Sequence, residues 1–185
     1  MSEDKFTAII VGAGPAGSTA AYLLAKDGHE VLLVEKGAAP GAKNMFGGRM
    51  YTHALNRIIP DFWDEAPVER PVVREIITFL DGGRSTSINC QDSEWAKPPY
   101  HSFTLLRAEF DAWLAAKAEE AGAMLACGIH VDDLLYEKGK VIGIRALRPP
   151  PYVTNPANRH LSKLWEVAVS CQLRKIPVCG DSVNK

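Results

Sequence analysis

Apolar positions gather into short runs at the start of the chain. Phe6 to Val11 (Phe-Thr-Ala-Ile-Ile-Val) is apolar and β-branched, which predicts a buried strand. Ser18 to Lys26 places Ala20, Leu23 and Leu24 on one side of a helix, and Gly28 stands where a glycine ends one. Val31 to Val34 predicts a second buried strand, with Glu35 at its end. Between the first strand and the helix lies Gly12-Ala13-Gly14-Pro15-Ala16-Gly17. Strand, glycine turn, helix and strand in this order form a βαβ unit of the dinucleotide-binding kind.

The glycines divide the work of that unit. Gly12 permits a tight turn off the strand. Gly14 lacks a Cβ, so a pyrophosphate can approach the backbone, and Gly17 lets the helix pack close to the sheet. Free N–H groups at the positive end of the helix then face the phosphates. Glu35 is placed to accept hydrogen bonds from both ribose hydroxyls, and its charge disfavours a 2′-phosphate and hence NADP. Pro15, Ala16 and Lys36 complete the expected nucleotide-contacting set. FAD and NAD share the ADP half, so the unit alone leaves both open. The following segment favours FAD: no third βα pair begins, and Ala38 to Arg49 reads as a long functional loop. Its glycine pair, Gly47-Gly48, would let the backbone lie against a flat ring.

Further along, Ile76–Leu80 and Thr86–Asn89 flank Asp81-Gly82-Gly83-Arg84 and predict a β-hairpin. Ser93 to Pro99 reads as a surface loop. Phe103–Leu106 predicts a strand ending in Arg107, and a helix follows from Ala108, with Phe110, Trp113, Leu114 and Ala118 as its core face and Gly122 as its end. Gly128–Tyr136 and Val141–Ala146 predict two strands around a tight turn.

Composition narrows the function classes. The chain has 185 residues, 46% hydrophobic and 23% charged, which is globular, and its net charge of −1 offers no positive field to gather nucleic acid. No apolar run approaches the roughly 20 residues of a spanning helix. The acidic start, Met1-Ser2-Glu3-Asp4-Lys5, is not a secretory signal. Cys90, Cys127, Cys171 and Cys179 form no CxxC pair, which favours a reducing cytosol. His101 and His130 lack a carboxylate or cysteine at ligand spacing, so no metal site is expected. His53 reads as a helix-start residue near the glycine pair. Lys43 and Arg49 are loop cations able to meet a phosphate or a reduced flavin, and no residue is singled out as catalytic.

Several segments resemble one family. Gly41-Ala42-Lys43-Asn44-Met45-Phe46-Gly47-Gly48-Arg49-Met50-Tyr51-Thr52-His53, then Ile58-Ile59-Pro60-Asp61-Phe62 and Ala66-Pro67-Val68-Glu69-Arg70, look like the FixC flavoproteins, bacterial relatives of electron-transfer-flavoprotein:quinone oxidoreductase. The resemblance runs from about residue 5 to 146. It implies an α/β fold: a Rossmann-like FAD-binding domain of the glutathione-reductase type with part of a second, mostly β substrate domain. In that organisation residues 1–50 and 101–146 bind FAD, 51–100 begin the substrate or partner domain, and 147–185 form a tail without a match. It further implies that Arg107 reaches the phosphate or ribose side of FAD and that the backbone at Val131, on a strand added to the central sheet, passes the adenine. Expected partners are an electron-transfer flavoprotein and a ferredoxin-like protein, with location in the cytoplasm or at the inner face of the cell membrane for the full-length family. The expected activity is that of a FAD-dependent oxidoreductase, weak in a chain that reads as a truncated or spliced product. An NAD-binding dehydrogenase domain and a non-catalytic remnant are the alternatives.

Overall fold

The computed structural model describes residues 6–147. Expectations for the tail and for Cys171 and Cys179 fall outside them. Val31–Glu35 (β2) is the hub. It is buried along its whole length and pairs in parallel with Ala8–Val11 (β1) on one side and Met124–Cys127 (β8) on the other. Burial on both faces explains its unbroken apolar run. Val31 and Leu33 face the helices Pro15–Lys26 (α1) and Arg107–Glu120 (α3), in a core with Ala21, Ala25, Ala115 and Ala118. Leu32 and Val34 face the antiparallel pair His130–Glu137 (β9) and Lys140–Leu147 (β10), against Ile144 and Ala146. The α/β Rossmann-like core expected from the sequence is present as helices, parallel sheet and hairpin.

A second sheet adjoins it. Gly47–Tyr51 (β3) and Val68–Pro71 (β4) flank Ser102–Leu106 (β7), all antiparallel. Its core brings Leu55 of the short helix His53–Asn56 (α2) together with Phe62, Leu105, Phe110 and Leu114. Helix α3 thus belongs to both cores. Arg74–Asp81 (β5) and Arg84–Gln91 (β6) form the expected hairpin around Gly82-Gly83. It pairs with no other strand among the described residues and exposes Ile77, Phe79, Leu80 and Ile88.

The structure corrects four local expectations. Helix α1 begins at Pro15 rather than Ser18, proline being at home in a first turn where its missing N–H is not needed. Its buried face is Ser18, Ala21 and Ala25, while Ala20 and Leu23 are exposed, because close contact with α3 and the sheet admits only small side chains. Gly47, Gly48 and Arg49 lie in strand β3, not in a loop. The strand that joins the central sheet is β8, and the strand carrying Val131 pairs instead with β10. No helix among the described residues is long and apolar enough to cross a membrane.

Candidate functional site

The turn between β1 and α1 sits at the carboxyl edge of the parallel sheet, where ligands of open α/β folds bind. Gly12 has φ +101°, a left-handed conformation that favours glycine, and its N–H donates to the Val34 carbonyl at 2.7 Å. A Cβ built on Gly17 would lie 1.9 Å from the Gly12 carbonyl oxygen, so the helix leans on the turn with no room for a methyl group. Gly14 differs from both. Its backbone is extended (φ −85°, ψ −176°), which any residue adopts, and a Cβ there would meet only Arg107 Nη2, at 3.9 Å. Folding does not demand a glycine at this position, and the space where its Cβ would stand is open.

Two positive features, a helix N-terminus and a guanidinium, lie at the turn. The first turn of α1 contains no acidic side chain, so the positive end of its dipole is not neutralised internally. Ala16 and Gly17 carry first-turn N–H groups with no intrahelical acceptor. Arg107 opens α3 and donates from Nε and Nη2 to the two carboxylate oxygens of Asp111, both at 2.8 Å. The Asp111 side chain is fully buried and also accepts from Asn44 Nδ2 at 2.6 Å. The Asp111 hydrogen bond raises the Arg107 pKa, outweighing burial, with the Asp111 charge adding to it, so the guanidinium stays cationic beside Gly14.

Glu35, at the end of β2, is buried and locked. Its Oε2 accepts from the Ala13 N–H at 3.0 Å, and its Oε1 accepts from the Gly37 N–H at 2.6 Å and from Lys43 Nζ at 3.0 Å. Burial pushes its pKa up, but the hydrogen bonds from Gly37, Lys43 and Ala13 and the Lys43 charge outweigh burial and hold it below the ordinary value. The Glu35 contribution to stability is therefore complete above the ordinary glutamate pKa of about 4.3 and is lost as pH falls through the lower folded-state value. The difference in melting temperature between the native chain and Glu35→Gln is expected to be largest near neutrality and to shrink below about pH 4. Cys127, the partner of Glu35 across β8, has its thiol pKa raised by burial and by the charges of Glu35 and Glu119, which disfavours the thiolate.

Residues 37–46 strap across this edge. Lys43 ties the strap to Glu35 and Asn44 ties it to Asp111, while Gly41 (φ +78°) crosses the start of α3 so closely that a Cβ would lie 2.4 Å from the Ala108 carbonyl oxygen. Gly47 is opposite Leu106 in the ladder, and the Arg107 N–H donates to the Phe46 carbonyl at 3.0 Å, so the glycine pair abuts the arginine.

The remaining sequence candidates are less closely joined. Lys36 is exposed beyond Glu35, and Ala16 is exposed on α1. Arg49 turns toward the hairpin, donating to Ser102 Oγ at 2.8 Å, contacting Glu75 and His101, and lying over the Tyr51 ring. Val131 packs against the Leu32–Val34 core, and the chain passing Glu35 is Gly128–Ile129, whose N–H groups donate to the Gly37 and Glu35 carbonyls. Sequence reasoning missed Asp111 and Asn44. An acid four residues after an arginine that opens a helix was the available signal for Asp111.

Comparison with known proteins agrees with this fold. The NAD(P)-binding Rossmann-like domain family matches residues 10–69. The FixC protein of Salmonella typhi is 50% identical over 146 residues, 79% of this chain and 34% of that protein. An Escherichia coli K12 protein named "Probable electron transfer flavoprotein-quinone oxidoreductase YdiS" is 47% identical over 146 residues, with the same shares covered. Among solved structures, a geranylgeranyl bacteriochlorophyll reductase-like protein from Thermoplasma acidophilum aligns with a TM-score of 0.62 at 27% identity, covering 78% of this chain and 35% of that one. The myxobacterial chondrochloren halogenase, described as a variant of FAD-dependent halogenases, aligns with a TM-score of 0.61 at 25% identity, covering 78% of this chain and 33% of that one. The resemblance drawn from residues 41–70 therefore holds: over 79% of its length this chain is similar to FixC proteins, and it spans about a third of the length of the FixC relatives it matches.

Proposed function

We propose that this chain is the FAD-gripping part of a FixC-type oxidoreductase and that its glycine turn receives the pyrophosphate of FAD. The observation that carries this is Gly14: an extended residue with open space where its Cβ would be, facing an arginine held by a buried carboxylate. A phosphate there would meet main-chain N–H groups, a helix dipole and a fixed cation together. Glu35 would take the adenosine ribose, and Gly128–Ile129 and Val131 would run past the adenine. Gly47 and Gly48 would give the isoalloxazine a flat stretch of backbone, with Lys36 and Arg49 at the edges of the site.

FAD supplies the redox chemistry when bound, and the protein's part is to hold, orient and shield it. Residues 1–50 and 101–146 form the cofactor-binding unit in this reading, 51–100 the start of a substrate or partner domain, and 147–185 a tail outside both. Electrons would arrive from an electron-transfer flavoprotein and involve a ferredoxin-like protein, in the cytoplasm or at the inner membrane face. The chain spans about a third of the length of the FixC relatives it matches. Weak FAD binding and little turnover are expected of it alone.

The test is gel filtration of the purified chain after incubation with FAD, beside titrations with FAD and NADH. Partial retention of yellow colour, with titration by FAD and not by NADH, is the expected result. The Rossmann-like family description makes NAD the second reading, which binding of NADH alone would favour. No stabilisation against heating by either nucleotide would favour a non-catalytic remnant.

A further inference from the structure

Glu35 already receives more donors than a ribose-binding carboxylate can keep. A carboxylate offers about four lone-pair positions, two on each oxygen. On Oε2 one is taken by the Ala13 N–H; on Oε1 both are taken, by the Gly37 N–H and by Lys43 Nζ. A ribose presenting two hydroxyls, one to each oxygen, finds a place on Oε2 and none on Oε1. The Ala13 and Gly37 donors are main-chain groups of the turn and of the chain leaving β2, so neither can withdraw without remodelling the backbone. The Lys43 side chain is 59% exposed and can leave into solvent.

We propose that Lys43 holds, in the nucleotide-free chain, the acceptor position that one ribose hydroxyl takes, so that its departure sets the affinity for the ribose. This rests on the reading that the glycine turn binds an ADP half. Lys43 is then a specificity-setting residue that acts through Glu35, and it discriminates by hydroxyl rather than by phosphate. An exposed ion pair is weak, so the effect of removing it is modest: a roughly two- to fivefold gain in affinity.

The experiment titrates the full chain and its Lys43→Met variant with ADP and with 2′,3′-dideoxy-ADP. Lys43→Met is expected to bind ADP roughly two- to fivefold more tightly than the native chain, with no gain for the dideoxy compound. Lys43→Leu, which likewise removes both charge and donor, should behave alike. Equal or weaker ADP binding by both variants overturns the proposal, as does an equal gain for the two nucleotides, which would mark a general charge effect. Failure of the native chain to bind ADP at all would instead overturn the nucleotide-binding reading, and this inference with it.

Discussion

Gly14→Val is expected to leave the fold intact and to weaken nucleotide binding severely. Valine accepts the extended backbone at this position, and its Cβ would meet only Arg107 Nη2 at 3.9 Å. Exchanging glycine for valine at a helix N-cap should lower stability by no more than about 1 kcal/mol. The branched side chain would nevertheless fill the space through which a phosphate reaches the turn. A loss in FAD and ADP affinity of about a hundredfold or more is expected, roughly 2.7 kcal/mol of binding free energy. Titration with both ligands, beside a melting curve, separates the two effects. A variant that melts like the native chain and binds as well would leave Gly14 without its assigned purpose.

Gly17→Ala is expected to do the reverse, damaging the fold first. A methyl group there would lie 1.9 Å from the Gly12 carbonyl oxygen and 3.3 Å from Ile10 Cγ2. Both neighbours are pinned: Ile10 by the β1–β2 ladder and Gly12 by its bond to the Val34 carbonyl. Relief requires α1 to lift off the sheet, away from the core it shares with Val31, Leu33 and α3. Overpacking of this kind costs about 1–3 kcal/mol and sometimes more, against the roughly 1 kcal/mol that alanine returns inside a helix. Expected is a net loss of about 1–2 kcal/mol, read as a drop in melting temperature with no ligand present. An unchanged melting temperature would show that helix and turn are not in the contact described. Three residues apart, the two glycines thus differ: packing demands the one at position 17 and does not demand the one at position 14.

The βαβ unit was legible because its cues are local. The apolar runs of β1 and β2, the glycine spacing and Glu35 all fall within thirty residues. What escaped is long-range. Met124–Cys127 is four residues long, too short for periodicity to separate it from the end of α3, and only its pairing with β2 makes it a strand of the parallel sheet. Gly47 and Gly48 have poor strand propensity and are held in β3 by β7. The roles of Asn44 and Lys43 depend on contacts with Asp111 and Glu35 across the strap, which no local pattern encodes. The burial of Asp111 follows from α3 serving two cores, whereas its helical spacing to Arg107 was visible.

The most direct measurement is an amide-resolved NMR titration of the native chain with ADP. Shifts are expected first at Ala13, Gly14, Ala16 and Gly17, then at Glu35, Gly37 and Lys43, with the amides of the β5–β6 hairpin unmoved. Saturating ADP that leaves residues 12–17 unperturbed, or that perturbs the hairpin instead, would contradict the assignment of the turn as a phosphate site.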